Sequence, residues 1–468
     1  MPASTIPARL FEQAQTRGQS IAYGVSVSDG WKTTNWATYA EEVRQAARAL
    51  LSLGVSPGDS VCILGFNRPE WVIFDVAAMA IGAVPAGIYT TCSPAEVQYI
   101  IDHSEANVVL LENADQWAKV DEERERLPGL KHVVMMQGAS VSDPIAMDWD
   151  AFMARGDESD SALVDERIAG LKDDDLATFI YTSGTTGPPK AVMLTHKNLA
   201  WTADVGAELA NLSADYSGIS YLPLSHIAEQ LFSIHAPITV GSRVYFAESL
   251  EKVPDHLKSV QPEVMFGVPR IWEKFYAALT TKLAGATGVK AKLVAWSMGV
   301  GQEVVFLQNE GRNPGPILAA KHRIAERLIL SKIRTAIGLN NAQFCVTGAA
   351  PISQEILEFF AGLGLPIREV YGQSEDTGPT TINVEGATRY GSVGQRIDGI
   401  EVRIAEDGEI CVKGPNVFAG YYKDPAATAD TLQDGWLLSG DLGEFDADGY
   451  LHITGRKKDI LITAGGKN

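Results

Sequence analysis

Cysteine is scarce here: Cys62, Cys92, Cys345 and Cys411 are the only four in 468 residues, and they stand far apart. Their spacing fits neither a metal site nor a redox motif, so reduced, buried thiols are expected. Positive charge is also in short supply, with 39 Lys and Arg against 58 Asp and Glu and a formal net charge of -19. Nucleic acid is thereby disfavoured as a partner, because phosphate backbones need a basic face. Any anionic ligand must be met by locally placed cations or backbone amides. Long apolar runs are missing too. The most apolar stretch, WVIFDVAAMAIGAVPAGIY from Trp71, contains Asp75 and is broken by Gly82, Pro85 and Gly87. It reads as a buried helix and strand, not a membrane span. The opening MPASTIPARLFEQAQ lacks the basic-then-apolar layout of a secretory signal, which makes a cytoplasmic location the default expectation.

What is present is an ordinary globular composition, 46% hydrophobic and 21% charged, in a chain long enough for two or more subdomains. In the first third, helical and strand patterns alternate. TYAEEVRQAARALLSLGV from Thr38 has helical spacing with Gly54 near its end, and SVCILGF from Ser60 is a short apolar strand. Ser93-Pro94-Ala95-Glu96 has the form of a capping box with Pro at the first helical position, leading through EVQYIIDHS to the strand NVVLLE. This alternation implies a parallel sheet covered on both faces. Residues 138–176 are acidic and loop-like. From Pro269 to about Gly338 the pattern is mainly helical, and LAAKHRIAERLILSKIRTAIG from Leu318 is amphipathic. EVRIAEDGEICVKG and DADGYLHITG carry Asp-Gly pairs that suggest hairpins in a β-rich part.

Between the strand-like runs ATFIY and AVMLT lies TSGTTGPPK. Glycines allow close backbone approach, so successive N–H groups can form an anion-binding nest. The hydroxyls of Thr182, Ser183, Thr185 and Thr186 add donors, and Lys190 adds a point charge. Phosphate suits such a loop, although a Ser/Thr/Gly run alone also suits a plain surface loop. A Walker A loop is disfavoured: Gly184 and Gly187 enclose only two residues, prolines precede the lysine, and Ala191 follows it.

Taken whole, this stretch resembles the phosphate loop of the adenylate-forming superfamily of acyl-CoA synthetases, peptide-synthetase adenylation domains and firefly-type luciferases. Four further segments resemble that family in order: LPLSHI at 222–227, TGAAPI at 347–352, VYGQSED at 370–376, and the run from Ser439 to the end. The resemblance covers roughly residues 20–468. It implies an α/β large N-terminal domain of acyl-CoA synthetase type, with two parallel-rich sheets sandwiched by helices plus a small β-barrel-like subdomain. The large domain would span 1–455, turning β-rich over about 341–455, with 456–468 as hinge.

The same resemblance assigns roles. Thr182, Ser183, Gly184, Thr185, Thr186, Gly187 and Lys190 would hold the phosphates of ATP. Gly348, Ala349 and Ala350 would form the adenine wall, with Tyr371 stacking on the base. Glu369, Val370, Gly372, Gln373 and Ser374 would complete the nucleotide site. Asp441 would accept the ribose hydroxyls, Arg456 would contact ribose or phosphate, and Lys458 would be the hinge. Mg²⁺ would be bound by Glu375 with help from Thr182. His226 would lie beside the acyl carboxylate; Lys190, His226 and Glu375 are thus the catalytic candidates, and CoA is the second substrate.

LPLSHIAEQLF and GVPRIWEK look like long-chain acyl-CoA synthetases, including the very-long-chain bubblegum-type branch, so a long-chain fatty acid is the expected acid. An alkyl tunnel gains about 0.8 kcal/mol per buried methylene, and Trp272 and the Phe232 region are candidates for its lining. Peripheral membrane association and oligomeric state stay open, and no strongly basic amphipathic helix is evident. The family continues past Asn468 into a small domain holding the catalytic lysine for adenylation. On that reading the chain binds MgATP or acyl-AMP but adenylates poorly and does not complete thioester formation. Activation of an aryl or medium-chain acid, and a lidless nucleotide or acyl-adenylate binder, are the alternatives.

Overall fold

The local signals in the sequence become caps and turns in a computed structural model, which describes residues 3–159, 161–182 and 187–457. Helix Pro94–Ser104 starts with a complete capping box. The Ser93 hydroxyl accepts from Glu96 N, and Glu96 reaches back to Ser93 N at 2.7 Å. Helix Trp36–Ser52 is capped by Asn35, whose side chain accepts from Thr38 N at 2.8 Å. Its end is closed by Gly54, which adopts φ +83° one residue past the cap and donates from N to Leu51 O at 3.0 Å. The apolar run from Trp71 divides as expected: helix Pro69–Ala80 is buried from Glu70 to Ala80, and strand Val84–Ile88 is buried throughout.

Two units divide the chain, and they interleave along it. The first comprises Met1–Asp215, Ser220–Leu250 and Phe418–Asp430; the second comprises Tyr216–Ile219, Glu251–Val417 and Thr431–Asn468. In the first unit an eight-stranded sheet runs in the spatial order Gly420–Tyr421, Lys190–Thr195, Leu176–Thr182, Val84–Ile88, Ser60–Leu64, Val108–Leu111, His132–Met135 and Ala146–Asp148. From Leu176–Thr182 onward every neighbouring pair is parallel. The other two strands are antiparallel. Strands Ser60–Leu64 and Val108–Leu111 are wholly buried, as a sheet covered on both faces requires.

The second unit has its own parallel run, Val264–Phe266, Phe344–Thr347 and Ile367–Tyr371, extended antiparallel by Thr381–Ile382 and Gln395–Arg396. Its β-rich part is a five-stranded antiparallel sheet. There, hairpins Glu401–Ile404 with Glu409–Lys413 and Trp436–Phe445 with Leu451–Arg456 carry the two expected Asp-Gly turns. The mixed α/β class with parallel-rich sheets is therefore as read from the sequence.

Two expectations need correction. Residues 138–176 are not mainly loop: they hold strand Ala146–Asp148 and helices Trp149–Ala154 and Ser161–Gly170. These helices are only six and ten residues long, with Phe152 and Val164 fully buried, and the acidic run at 157–160 between them sets the composition of the whole stretch. Of the four thiols, three are buried but Cys92 is half-buried. Trp272 is packed core, fully buried with its indole N–H donating to Gly267 O at 2.9 Å.

Replacing Ser93 with alanine removes the acceptor at the helix start and should lower stability by about 1 kcal/mol. A urea titration reads this as a lower midpoint at constant slope; an unmoved midpoint would show that the capping box contributes nothing.

Candidate active site

In the first unit, strands Leu176–Thr182 and Lys190–Thr195 pair antiparallel, with Thr182 opposite Lys190. Ser183, Gly184, Thr185 and Thr186 lie outside the described residues. The chain is described again from Gly187, which takes φ +119°, a conformation that favours glycine. Lys190 is not a loose cation. Its ammonium lies 4.9 Å from the centre of the Tyr421 ring and 3.9 Å from an Asp424 carboxylate oxygen. Both partners of that ion pair are partly solvated, so it holds the side chain only lightly.

His226 caps helix Ile227–Gln230, its Nδ1 accepting from Ala228 N at 3.1 Å. Burial lowers its pKa, so the ring is neutral near pH 7 and its proton sits on Nε2. The segment before it is clamped. Asn67 donates to Leu222 O at 2.7 Å, and Gln230 donates to Leu224 O at 3.0 Å. Glu229 is the buried hub beneath, accepting from Ser220 Oγ at 2.9 Å, Tyr221 N at 3.0 Å and Ser233 Oγ at 2.8 Å. Burial pushes its carboxyl up to about 8, against the pull of those donors. Gly87 lets the neighbouring strand approach, since a Cβ there would sit 2.8 Å from Ser225 Cα. Glu229 and Asn67 were missed from the sequence. The only signal was a carboxylate three residues after His226, which looks no different from a solvated one.

In the second unit, Asp441 draws three sequence segments together. Its Oδ2 accepts from the Tyr371 hydroxyl at 3.0 Å and from Gln373 Nε2 at 2.6 Å, while Oδ1 accepts from Arg456 Nε at 2.7 Å. Gln373 also donates to Ser439 O at 2.8 Å. A carboxylate oxygen offers two lone pairs. Oδ1 therefore keeps one for a further donor, whereas Oδ2 is saturated until Tyr371 or Gln373 lets go. Burial and the Asp441 charge together raise the Tyr371 phenol, so it acts as a donor and not as a phenolate.

The residues after Tyr371 form a turn that only glycine permits, because a Cβ on Gly372 would fall 1.4 Å from Gly378 O. Ser374 is buried and Glu375 half-buried within it. Asp376, absent from the candidates, is fully buried and holds the turn by accepting from Gln373 N and from Thr380 Oγ1 at 2.7 Å. Burial drives its carboxyl up to about 8. On the strand before the turn, Glu369 accepts from Gly391 N at 3.0 Å and is raised to about 7, again chiefly by burial. Gly348 sits where a Cβ would meet a Val370 methyl at 2.7 Å, so the TGAAPI segment lies flat against the strand end. Ala349 carries a left-handed φ of +68°, and Ala349 and Ala350 are exposed.

The basic run 456–458 is not a free cationic patch in its described part. Arg456 pairs with Asp441, and Lys457 lies 2.7 Å from both Asp407 and Glu409. Lys458 lies outside the described residues.

The frame is α/β with parallel-rich sheets, and in the second unit one carboxylate is held by an aromatic hydroxyl, an amide and a guanidinium. The chain belongs to the AMP-binding enzyme family, whose profile matches residues 10–422. It is 38% identical to the Xenopus laevis long-chain-fatty-acid–CoA ligase ACSBG2 over 487 aligned positions, which take in 100% of the chain and 65% of that protein. It is 36% identical to the long-chain-fatty-acid–CoA ligase FadD15 of Mycobacterium tuberculosis, over 99% of the chain and 76% of that protein. Among solved structures, the N-terminal domain of FACL13 from Mycobacterium tuberculosis shares the fold, with a TM-score of 0.72 at 21% identity, over 97% of this chain and 99% of that one. The chain thus spans less than two thirds of the length of the ACSBG2 relative.

The Asp376 carboxyl gives a pH test. Its native pKa of about 8 stands above the ordinary 3.8, so the folded state holds a proton that the unfolded chain releases first. Its stabilising contribution is complete at low pH and drains away as pH climbs from about 4 to about 8. Asp376→Asn keeps an acceptor for Gln373 N and does not titrate. The variant should gain stability on the parent steadily across that window in denaturation series. Parallel profiles for the two proteins would refute the raised pKa.

Proposed function

We propose that this chain is the nucleotide-binding large part of an ATP-dependent long-chain fatty acyl-CoA ligase. In the first half-reaction a fatty carboxylate attacks the α-phosphate of ATP, forming acyl-AMP and releasing pyrophosphate. In the second the thiol of CoA takes the acyl group and AMP leaves. The observation that carries this reading is identity of 35–38% along essentially the whole chain to proteins named as long-chain-fatty-acid–CoA ligases.

Both reactants of the first step are anions. At about 4 Å one unit pair repels by about 1 kcal/mol in water and about 4 kcal/mol at an effective dielectric near 20. Lys190 and the amides and hydroxyls of residues 182–187 are the groups that would offset it. Glu375 and Thr182 offer hard oxygen donors, the kind Mg²⁺ takes when it keeps substrate phosphates and water as its other ligands. Mg²⁺ held there would neutralise phosphate charge.

His226, neutral with Nε2–H free to donate, would orient the acyl carboxylate and need not remove a proton, because a fatty acid with a pKa near ~4.3 is already ionised. In the second unit the spare lone pair of Asp441 Oδ1 would accept one ribose hydroxyl. The second ribose hydroxyl would replace Tyr371 or Gln373 on Oδ2. Tyr371 and the flat Gly348–Ala350 segment would take the adenine.

Asp441→Ala should weaken MgATP binding by about tenfold to a hundredfold in titration calorimetry, the worth of one or two charge-assisted hydrogen bonds. Unchanged affinity would remove Asp441 from the nucleotide site, and absence of any heat in the parent would remove the reading itself. Exchange of labelled pyrophosphate across a panel of acids, measured on the chain extended to the length of its relatives, should favour long-chain acids. A preference for aryl or medium-chain acids would overturn the substrate assignment.

A further inference from the structure

Large apolar side chains on the surface are not scattered evenly. Nine exposed large hydrophobics occur among the described residues, and six of them fall between Val289 and Leu328. They lie on helix Gly288–Asn309 and on the run made of Pro316–Ala325, Glu326–Leu330 and Ser331–Ile337. Ile317, Ile324 and Leu328 recur at helical spacing on one stripe, with Ile317 74% and Ile324 52% exposed. Val289, at 83% exposure, and Trp296 share one face of the first helix seven residues apart. The opposite faces are already used: Val300, Ala325 and Leu330 are buried together, with Met298 and Leu318 against them. The outward stripes are thus surplus to the packing of the helices.

Charge marks the same segment. Residues 288–337 carry eight Lys and Arg against three Glu, a net of +5, in a chain whose total is -19. Arg334 pairs with Glu326 and Arg312 with Glu310. Among the described residues no ion pair engages Lys321, Arg323, Arg327 or Lys332, all exposed beside the isoleucine stripe.

We propose that this helical pair is a docking face for an anionic lipid surface, with Ile317, Ile324 and Leu328 entering the headgroup boundary and the flanking cations meeting lipid phosphates. Apolar residues of this kind interleaved with Lys and Arg are the composition of helices that lie in a membrane interface. The negative remainder of the chain is repelled by the same surface, which fixes which side approaches. A second copy of this chain docking through the same face would match the isoleucines but set Lys321, Arg323, Arg327 and Lys332 against their own like charges. No helix among the described residues is long and apolar enough to cross a membrane. The proposal is independent of the ligase reading.

Flotation with vesicles of phosphatidylcholine alone and of phosphatidylcholine mixed with phosphatidylglycerol provides the test. The chain should float with the mixed vesicles and not with the neutral ones, and high salt should weaken it. Lys321→Glu with Arg323→Glu should lower the partition constant by at least about fivefold for each charge removed. Ile317→Asp with Ile324→Asp should lower it by about tenfold or more, with thermal unfolding unchanged because both positions face outward. Absence of flotation, equal flotation on both vesicles, or variants that float like the parent would each overturn the proposal. So would a dimer in sedimentation that the isoleucine variant dissociates while vesicles go unbound, which would assign the face to a second copy.

Discussion

One carboxylate organises the second unit's half of the chemistry. Asp441, on the strand Trp436–Phe445, is gripped by Tyr371, Gln373 and Arg456, so a sheet strand, a glycine turn and the last described hairpin meet at two oxygen atoms. Charge-assisted bonds of this sort are short and directional. They set the position of the Tyr371 ring and the course of the residues that carry Ser374 and Glu375. The grip also imposes a condition on any diol that arrives, since one oxygen has a free lone pair and the other must first shed a partner.

The acidic character of the chain is handled mostly by ion pairing, and at a few positions by burial. Glu229, Glu369 and Asp376 sit in dry surroundings that favour their protonated forms, each with hydrogen-bond donors aimed at it. Asp75 is the extreme case: it is fully buried on helix Pro69–Ala80, raised well above 3.8, and both its oxygens lack a partner among the described residues. A carboxyl in such a place is kept neutral by desolvation. The net charge counted from the sequence therefore overstates the charge that the folded protein presents.

Much of the fold was legible because the local signals agree with one another. The Ser93–Glu96 box, the Asp-Gly hairpins and the apolar runs flanking TSGTTGPPK each led to the element expected, and the family match supports the resemblance drawn from five motifs. Asp441, Tyr371, Gln373 and Arg456 were each named as candidates from the sequence, but the bonds that join them were not legible, since the partners lie 15 to 70 positions from Asp441. Asn67 and Glu229 escaped notice for the same reason. The run from Leu318 to Gly338 was recognised as amphipathic, but the basic character of the wider segment 288–337 was not, because its cations are spread over some forty residues. An isoleucine in a sequence also carries no mark of whether it points inward.

The interleaving of the two units bears on how the polypeptide is made. Strand Lys190–Thr195 pairs on one side with Leu176–Thr182 and on the other with Gly420–Tyr421, a segment from the far end of a 468-residue chain. During vectorial synthesis that flank stays open until residue 421 has left the ribosome, long after its other neighbour is in place. An uncovered strand flank invites pairing with a stranger. The order of translation thus leaves one flank of this strand unpaired through much of synthesis.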